Sequence, residues 1–296
     1  DYLIGVKKCE TLDTLLIFTT RGHYAYVPVY KIDECKFKEV GKHVSQYVKM
    51  EGQEKIVAAI DVKRFDTFAF VLTLSRNGMI KKTLLSRFNV DRANKSFVAM
   101  KLREDDELVS ALLAYQGDEA VVVSKDGRYN KYSVDILSDL ATKALGVGAI
   151  NVKGDECAGL AVNHGDGNEI LLTSEKGGFK RIHFAELNVT NRNTKGERLF
   201  KQAKTNPQKL LCIKNVSSYN TLVFKNEEKL NVSAVPFMAV DASFSNPLKN
   251  ADMDYHFIND NMNDIEEALV VEIPEGYLND SVNESEIDLF ADEKLI

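Results

Sequence analysis

Five times along the chain a short apolar run meets a small polar turn and is followed by a second run that closes on a large apolar residue. The first runs and their turns are Leu15 to Gly22, Val71 to Gly78, Val121 to Gly127, Ile170 to Gly177 and Thr221 to Glu227. Their turn residues are spaced 56, 49, 50 and 50 positions apart, so the chain repeats with a period near fifty. Ten positions past each turn stand Ile32, Phe88, Leu137, Leu187 and Phe237, which keeps the second run in register across all five copies. Asn77-Gly78 and Asp126-Gly127 supply the positive φ of two-residue connections, and Gly177-Gly178 serves the same need, so each copy predicts a β-hairpin. The first strand is apolar on successive residues and is expected to be covered on both faces. The second alternates more and is expected to face solvent on one side.

Two further strand-like pieces follow each hairpin, such as Phe97–Leu102 with Leu108–Leu113, or Gly148–Val152 with Cys157–Val162. About four strands per unit, repeated radially, predict an all-β, propeller-like fold of about five blades, closed or open. A linear β-solenoid or an array of small separate domains are the alternatives.

Charge divides the chain unevenly. The net charge is −6, yet residues 239–296 hold fifteen acids against Lys249 and Lys294, while residues 1–238 hold 36 basic and 29 acidic groups. A folded domain over 1–238 and a largely disordered acidic tail over 239–296 are expected. Cys9, Cys35, Cys157 and Cys212 form no Cys-x-x-Cys pair, which speaks against a zinc cluster or a disulfide scaffold and suits a reduced cytoplasm. No apolar run approaches a membrane span, and no signal peptide follows Asp1, so the chain reads as a piece of something longer that does not engage a membrane. His23, His43, His164, His183 and His256 are scattered, Gly165-Asp-Gly167 reads as a turn, and the eleven tyrosines read as strand residues, so no catalytic or metal-binding set is expected.

The segments Ser75-Arg-Asn-Gly-Met-Ile-Lys-Lys-Thr-Leu-Leu-Ser-Arg-Phe88, Arg103-Glu-Asp-Asp-Glu-Leu-Val-Ser110 and Ala144-Leu-Gly-Val-Gly-Ala-Ile150 resemble repeats of the C-terminal domain shared by the A subunits of DNA gyrase and topoisomerase IV. The resemblance runs through roughly residues 3–238. It implies a β-pinwheel whose basic outer rim binds and bends duplex DNA beside a cleavage core. The Gln-Arg-Arg-Gly-Gly-Lys-Gly box of gyrase is absent, and Glu39-Val-Gly-Lys-His43 and Thr190-Asn-Arg-Asn-Thr-Lys-Gly196 are only degenerate equivalents. That favours the topoisomerase IV branch, with decatenation and relaxation as its work, although the first repeat, and any such box within it, is expected to lie before this chain. The partners so implied are double-stranded DNA, the upstream cleavage domain and the ATPase subunit. The parent enzyme would use ATP and Mg through other domains, and this fragment would carry no cofactor and no catalysis.

Aligned on their turns, the hairpins place Lys81 and Lys82, Asn130 and Lys131, and Lys180 and Arg181 three and four positions on, where the first copy has Ala25 and Tyr26 and the fifth Leu230 and Asn231. One cationic position recurring per blade predicts a row of cations along the rim, matched to the phosphates of a bent duplex. Arg76, Arg87, Lys125 and Arg128 are flanking candidates. No base-reading element is visible, so binding is expected to be sequence-independent and steeply dependent on salt. The rival readings are a gyrase wrapping domain and a propeller that docks proteins; the second would be expected to use aromatic and arginine hot spots, and the chain has no tryptophan.

Overall fold

The structure is a computed structural model that describes residues 8–246, 255–258 and 271–277, apart from short gaps at 37, 48, 49, 51, 91, 94, 165–168, 203–206 and 276. Each of the five expected hairpins is present: β1 (Thr14–Thr19) with β2 (His23–Pro28), β4 (Ala69–Ser75) with β5 (Met79–Leu84), β8 (Glu119–Ser124) with β9 (Arg128–Ser133), β12 (Glu169–Ser174) with β13 (Phe179–His183), and β16 (Thr221–Phe224) with β17 (Lys229–Asn231). All are antiparallel, and the turn glycines Gly78 and Gly127 take φ of 85° and 76°, as their sequence predicts.

A third strand from each repeat pairs with the first strand of its own hairpin: β3 (Ile56–Val62), β7 (Leu108–Tyr115), β11 (Cys157–Asn163), β15 (Leu210–Val216) and β18 (Tyr255–Ile258). Strands β3, β7, β11 and β15 adjoin one another in sequence and form the inner ends of their blades. The remaining piece of each repeat does something the period alone could not show. β6 (Ser96–Val98) leaves the second repeat to pair with β2 of the first, β10 (Val147–Gly148) leaves the third to pair with β5, and β14 (Glu197–Arg198) leaves the fourth to pair with β9. An antiparallel bridge between Phe179 and Ser245 continues the pattern in the fourth blade. The fourth strand of each of the first three blades is thus lent by the next repeat. Three sheets have four strands, and the last two have three.

Apolar packing follows these exchanges. One cluster joins blades one and two around Phe18, Tyr24 and Phe88, a second joins blades two and three around Leu72, Tyr132 and Ile150, and a third joins blades three and four around Tyr129, Phe184 and Phe200. The fourth sits between blades four and five around Phe179 and Phe224. The second hairpin strands of blades two to four are consequently buried on both faces, β5 along all but its first residue, which corrects the expectation that one face meets solvent, whereas β17 of blade five keeps exposed residues on either side of the buried Leu230 as expected. The lent strand and the next blade supply the missing cover.

The fifth blade also corrects the domain boundary. β18 lies beyond residue 238 yet hydrogen-bonds β16, and Val240 and Phe244 pack against the cluster between blades three and four. The expected turn at Gly165-Asp-Gly167 and most of the acidic tail fall outside the described residues. Among the described residues no helix is long and apolar enough to cross a membrane.

Candidate nucleic-acid interface

The recurring cations stand where the alignment put them, and the structure buries them. Lys81 is fully buried, and its Nζ donates to the carbonyls of Ala99, Ala141 (3.0 Å) and Thr142 (2.7 Å). Lys180, one blade pair on, donates to Leu199 (2.8 Å), Val240 (2.6 Å) and Ala242 (2.9 Å). Between them Asn130 does the same with an amide, donating to the carbonyls of Ala149 and Thr194, both at 3.1 Å. Ala99, Ala149 and Leu199 are fifty residues apart and each follows a lent strand. The three side chains are therefore equivalent pins: each grips the end of the segment that its own repeat lends to the preceding blade and, through Ala141 and Thr142, Thr194, or Val240 and Ala242, the segment that its own blade receives. Burial pushes the Lys81 ammonium down to about 7 and the Lys180 ammonium down to about 8.

The neighbouring positions point to the other face of the strand, toward the next blade. Lys82 donates to the Val134 carbonyl (3.2 Å) and lies 4.8 Å over the Phe70 ring; Lys131 pairs with Glu119 (3.0 Å) and lies over Phe184. Arg181 donates to the Val232 carbonyl (3.0 Å), approaches Glu169 (3.7 Å) and stacks on Phe237. The row exists, but inside the wheel. This corrects the expectation that Lys81, Lys82, Lys131, Lys180 and Arg181 line the rim, and the reason is the strand exchange that covers β5, β9 and β13.

The flanking candidates are partly exposed and engaged. Arg76 donates to the Asp105 carbonyl and pairs with Glu107 (3.3 Å); Lys125 pairs with Glu156 (2.7 Å). Arg87 bonds Asp139 at 2.8 Å, and Arg128 donates to the Gly196 carbonyl at 2.9 Å. Arg87 and Lys125 therefore answer the nearby carboxylates of Asp139 and Glu156, and Arg76 answers Glu107 together with the more distant Glu156.

Exposed positive charge lies elsewhere, on the lent segments themselves. Around β6 the stretch 92–103 carries Arg92, Lys95, Lys101 and Arg103 with no acid; around β10 the stretch 141–153 carries Lys143 and Lys153 with no acid; around β14 the stretch 191–201 carries Arg192, Lys195, Arg198 and Lys201 with only Glu197. All but the half-buried Arg192 are exposed. Positions repeat here too. Lys95 and Lys195 stand three residues before the equivalent strand residues Val98 and Arg198, and Lys101 and Lys201 stand three after them. Among the described residues Arg92, Lys95, Lys101, Arg103, Lys143, Lys153 and Lys195 make no ion pair. Because each lent strand is the outermost of its sheet, these cations lie on the outer edges of blades one, two and three.

Backbone chemistry explains how so short a strand is held. Gly146 has φ of 90°, and a Cβ there would stand 2.6 Å from the Ile80 carbonyl; Gly196 occupies the equivalent place against Tyr129 with φ of 75°. Only glycine lets the segment approach the receiving strand so closely. The sequence signal for this surface was present in Thr190 to Gly196, where basic residues and glycine interleave. It was weak because the segments themselves form strands of two or three residues.

No catalytic grouping accompanies the surface among the described residues. His164 bonds Asp118 (2.8 Å), His183 stacks on Phe237, and His23 lies 3.7 Å from Glu54, each at a different blade.

Comparison with known proteins agrees with the architecture. The family model of the DNA gyrase C-terminal domain, beta-propeller, matches residues 13–63, 69–114 and 168–207. The A subunit of DNA topoisomerase 4 from Staphylococcus aureus is 34% identical over 232 residues, covering 77% of this chain and 29% of that protein. The chain therefore spans under a third of the length of such relatives. Among solved structures, the C-terminal domain of DNA topoisomerase IV superposes with a TM-score of 0.73 at 24% identity, covering 81% of this chain and 76% of that one. The DNA gyrase A C-terminal domain does so with 0.69 at 19% identity, covering 84% and 83%. Both likenesses bear on the fold.

Proposed function

We propose, from the premise that this chain belongs to the family of gyrase A and topoisomerase IV A C-terminal domains, that it binds and bends duplex DNA as the accessory domain of a type IIA topoisomerase of the topoisomerase IV kind. It performs no chemistry itself. It presents a DNA segment to an upstream cleavage domain that works with an ATPase subunit, in the bacterial cytoplasm, and the whole enzyme decatenates and relaxes.

The observation that carries this reading is the placement of exposed cations, most of them without an ion-pair partner among the described residues, on the lent segments at the outer edges of three consecutive blades. A duplex following a curved edge presents phosphates at regular intervals, and side chains repeated once per blade meet them without reading bases. Bending costs a few kcal/mol over a short site, and phosphate contacts offset it. Engagement of about five phosphates gives a log–log salt slope on the order of −4 to −5.

A gel-shift titration of the chain with plain duplex of two unrelated sequences, at 50 and 200 mM salt, tests the proposal. The expected result is equal affinity for both sequences and a steep loss at the higher salt. Salt-insensitive binding, or none at 50 mM, would overturn it.

A further inference from the structure

The blades differ at one repeated position. Two residues before the partner of each recurring cation, the first hairpin strand carries Glu119 in blade three and Glu169 in blade four, and these carboxylates face Lys131 and Arg181. Blade two has Phe70 there, paired across the hairpin with Leu84, and Lys82 rests over its ring instead. Blade one has Thr14 opposite Pro28 there, and blade five, whose hairpin strands are shorter, opens its first strand with Thr221 opposite Asn231. Blade two therefore presents an apolar patch of Phe68, Phe70 and Leu84 where the others present a carboxylate or small polar groups.

That patch is covered by the chain's own C-terminal region. Ile273 and Tyr277 pack on it, and the Tyr277 ring meets Phe68 edge-on at 4.9 Å and Phe70 at 6.4 Å. The backbone joins as well: the Phe68 amide donates to the Val271 carbonyl at 2.6 Å, and Thr67 and Glu272 form an antiparallel bridge. Burial raises the Tyr277 phenol, which also feels Asp139 and Arg87.

We infer that residues 271–277, Val-Glu-Ile-Pro-Glu-Gly-Tyr, are a docking motif whose receptor is the Phe68–Phe70–Leu84 patch of blade two. Strand-like addition at Thr67 and Phe68 supplies affinity, and the Ile273 and Tyr277 anchors supply the choice of blade. The selection also works by exclusion. Glu119 or Glu169 would set a carboxylate against the apolar anchors at blades three and four, whereas at blade two Glu272 lies within the field of Arg64. Residues 259–270, with Asp260, Asp264, Glu266 and Glu267, lie between β18 of blade five and the docked motif. Docking thus tethers the acidic stretch to the wheel at both ends, and release frees one end. The inference does not depend on the DNA-binding reading.

Two measurements on the full chain test it. In hydrogen exchange the Phe68 amide is expected to be protected, and Ile273→Asp, which alters only the motif, is expected to speed its exchange at least tenfold while amides of β8 and β9 are unchanged. Because the chain lacks tryptophan, Tyr277→Trp creates a single tryptophan, which can be excited apart from the tyrosines. Its emission is expected to be shielded from acrylamide, and Phe70→Glu, which installs the residue of blades three and four beside Lys82, should make it several-fold more quenchable with the circular-dichroism melt retained. Unchanged Phe68 exchange in Ile273→Asp, together with quenching indifferent to Phe70→Glu and Ile273→Asp, overturns the inference.

Discussion

A lysine amine surrounded by three carbonyls is a strong fastener with an electrostatic cost, and Lys81 and Lys180 show both sides. Their folded pKa values fall to about 7 and about 8 through burial, while an unfolded lysine titrates near 10.4. Between these limits the unfolded chain binds more protons than the native one, so stability rises with pH, by up to about 1.4 kcal/mol per pH unit for each group. The buried phenols of Tyr24 and Tyr129, raised to about 12, oppose this above pH 10, where the native state resists a proton loss that the unfolded state accepts. Thermal melts are therefore expected to climb from pH 7 to about 9.5 and then turn over. Lys81→Asn, which copies Asn130 of the next blade, should flatten the climb; an unchanged slope would mean that Lys81 stays protonated in the native state across that range, as an unfolded lysine does. The alignment of the hairpins made these positions legible as a set. It did not reveal their surroundings, because each pin grips carbonyls 18 to 62 residues away, on segments whose destination no local pattern encodes.

At the scale of the element, the hairpins were readable and the exchanged strands were not. Four to seven apolar residues ending in Asn-Gly or Asp-Gly leave little choice of structure. A pair such as Val147-Gly148 carries no period at all, and its place in the sheet of blade two is decided by glycine sterics and the pin of Lys81. The sterics can be isolated. Gly146 and Gly154 both have positive φ, 90° and 80°, but a Cβ at Gly146 meets the Ile80 carbonyl at 2.6 Å and one at Gly154 meets nothing within 4 Å. Gly154→Ala is expected to cost about 1 kcal/mol from conformation alone. Gly146→Ala should cost about 2–3 kcal/mol, since strain and a backbone clash add. Equal losses in denaturant titrations would show that the lent strand is not held by close approach. The same exchange explains why the second hairpin strands of blades two to four are covered although their sequences alternate. Alternation reported a polar face, and that face binds backbone carbonyls instead of water.

For the whole molecule, the question is which cations meet phosphate, and the two available sets make opposite predictions. If the buried set did so, the blades would have to open, exposing Lys81 and Lys180 and surrendering their carbonyl partners. If the lent segments do so, the folded wheel binds as it stands. Lys95, Lys143 and Lys195 lie one on each of three consecutive lent segments, exposed and without an ion-pair partner among the described residues. Reversing all three to Glu should leave the melt within about 1 kcal/mol, as surface changes do. Each lost phosphate contact removes about 0.9 from the log–log salt slope, so the triple variant should lose nearly 3. Affinity at 50 mM salt should fall by at least 10²-fold, because repulsion adds to the lost attraction. A salt slope unchanged in the triple variant would move the DNA path off the outer edges of these blades, and with it the reason for repeating the cations once per blade.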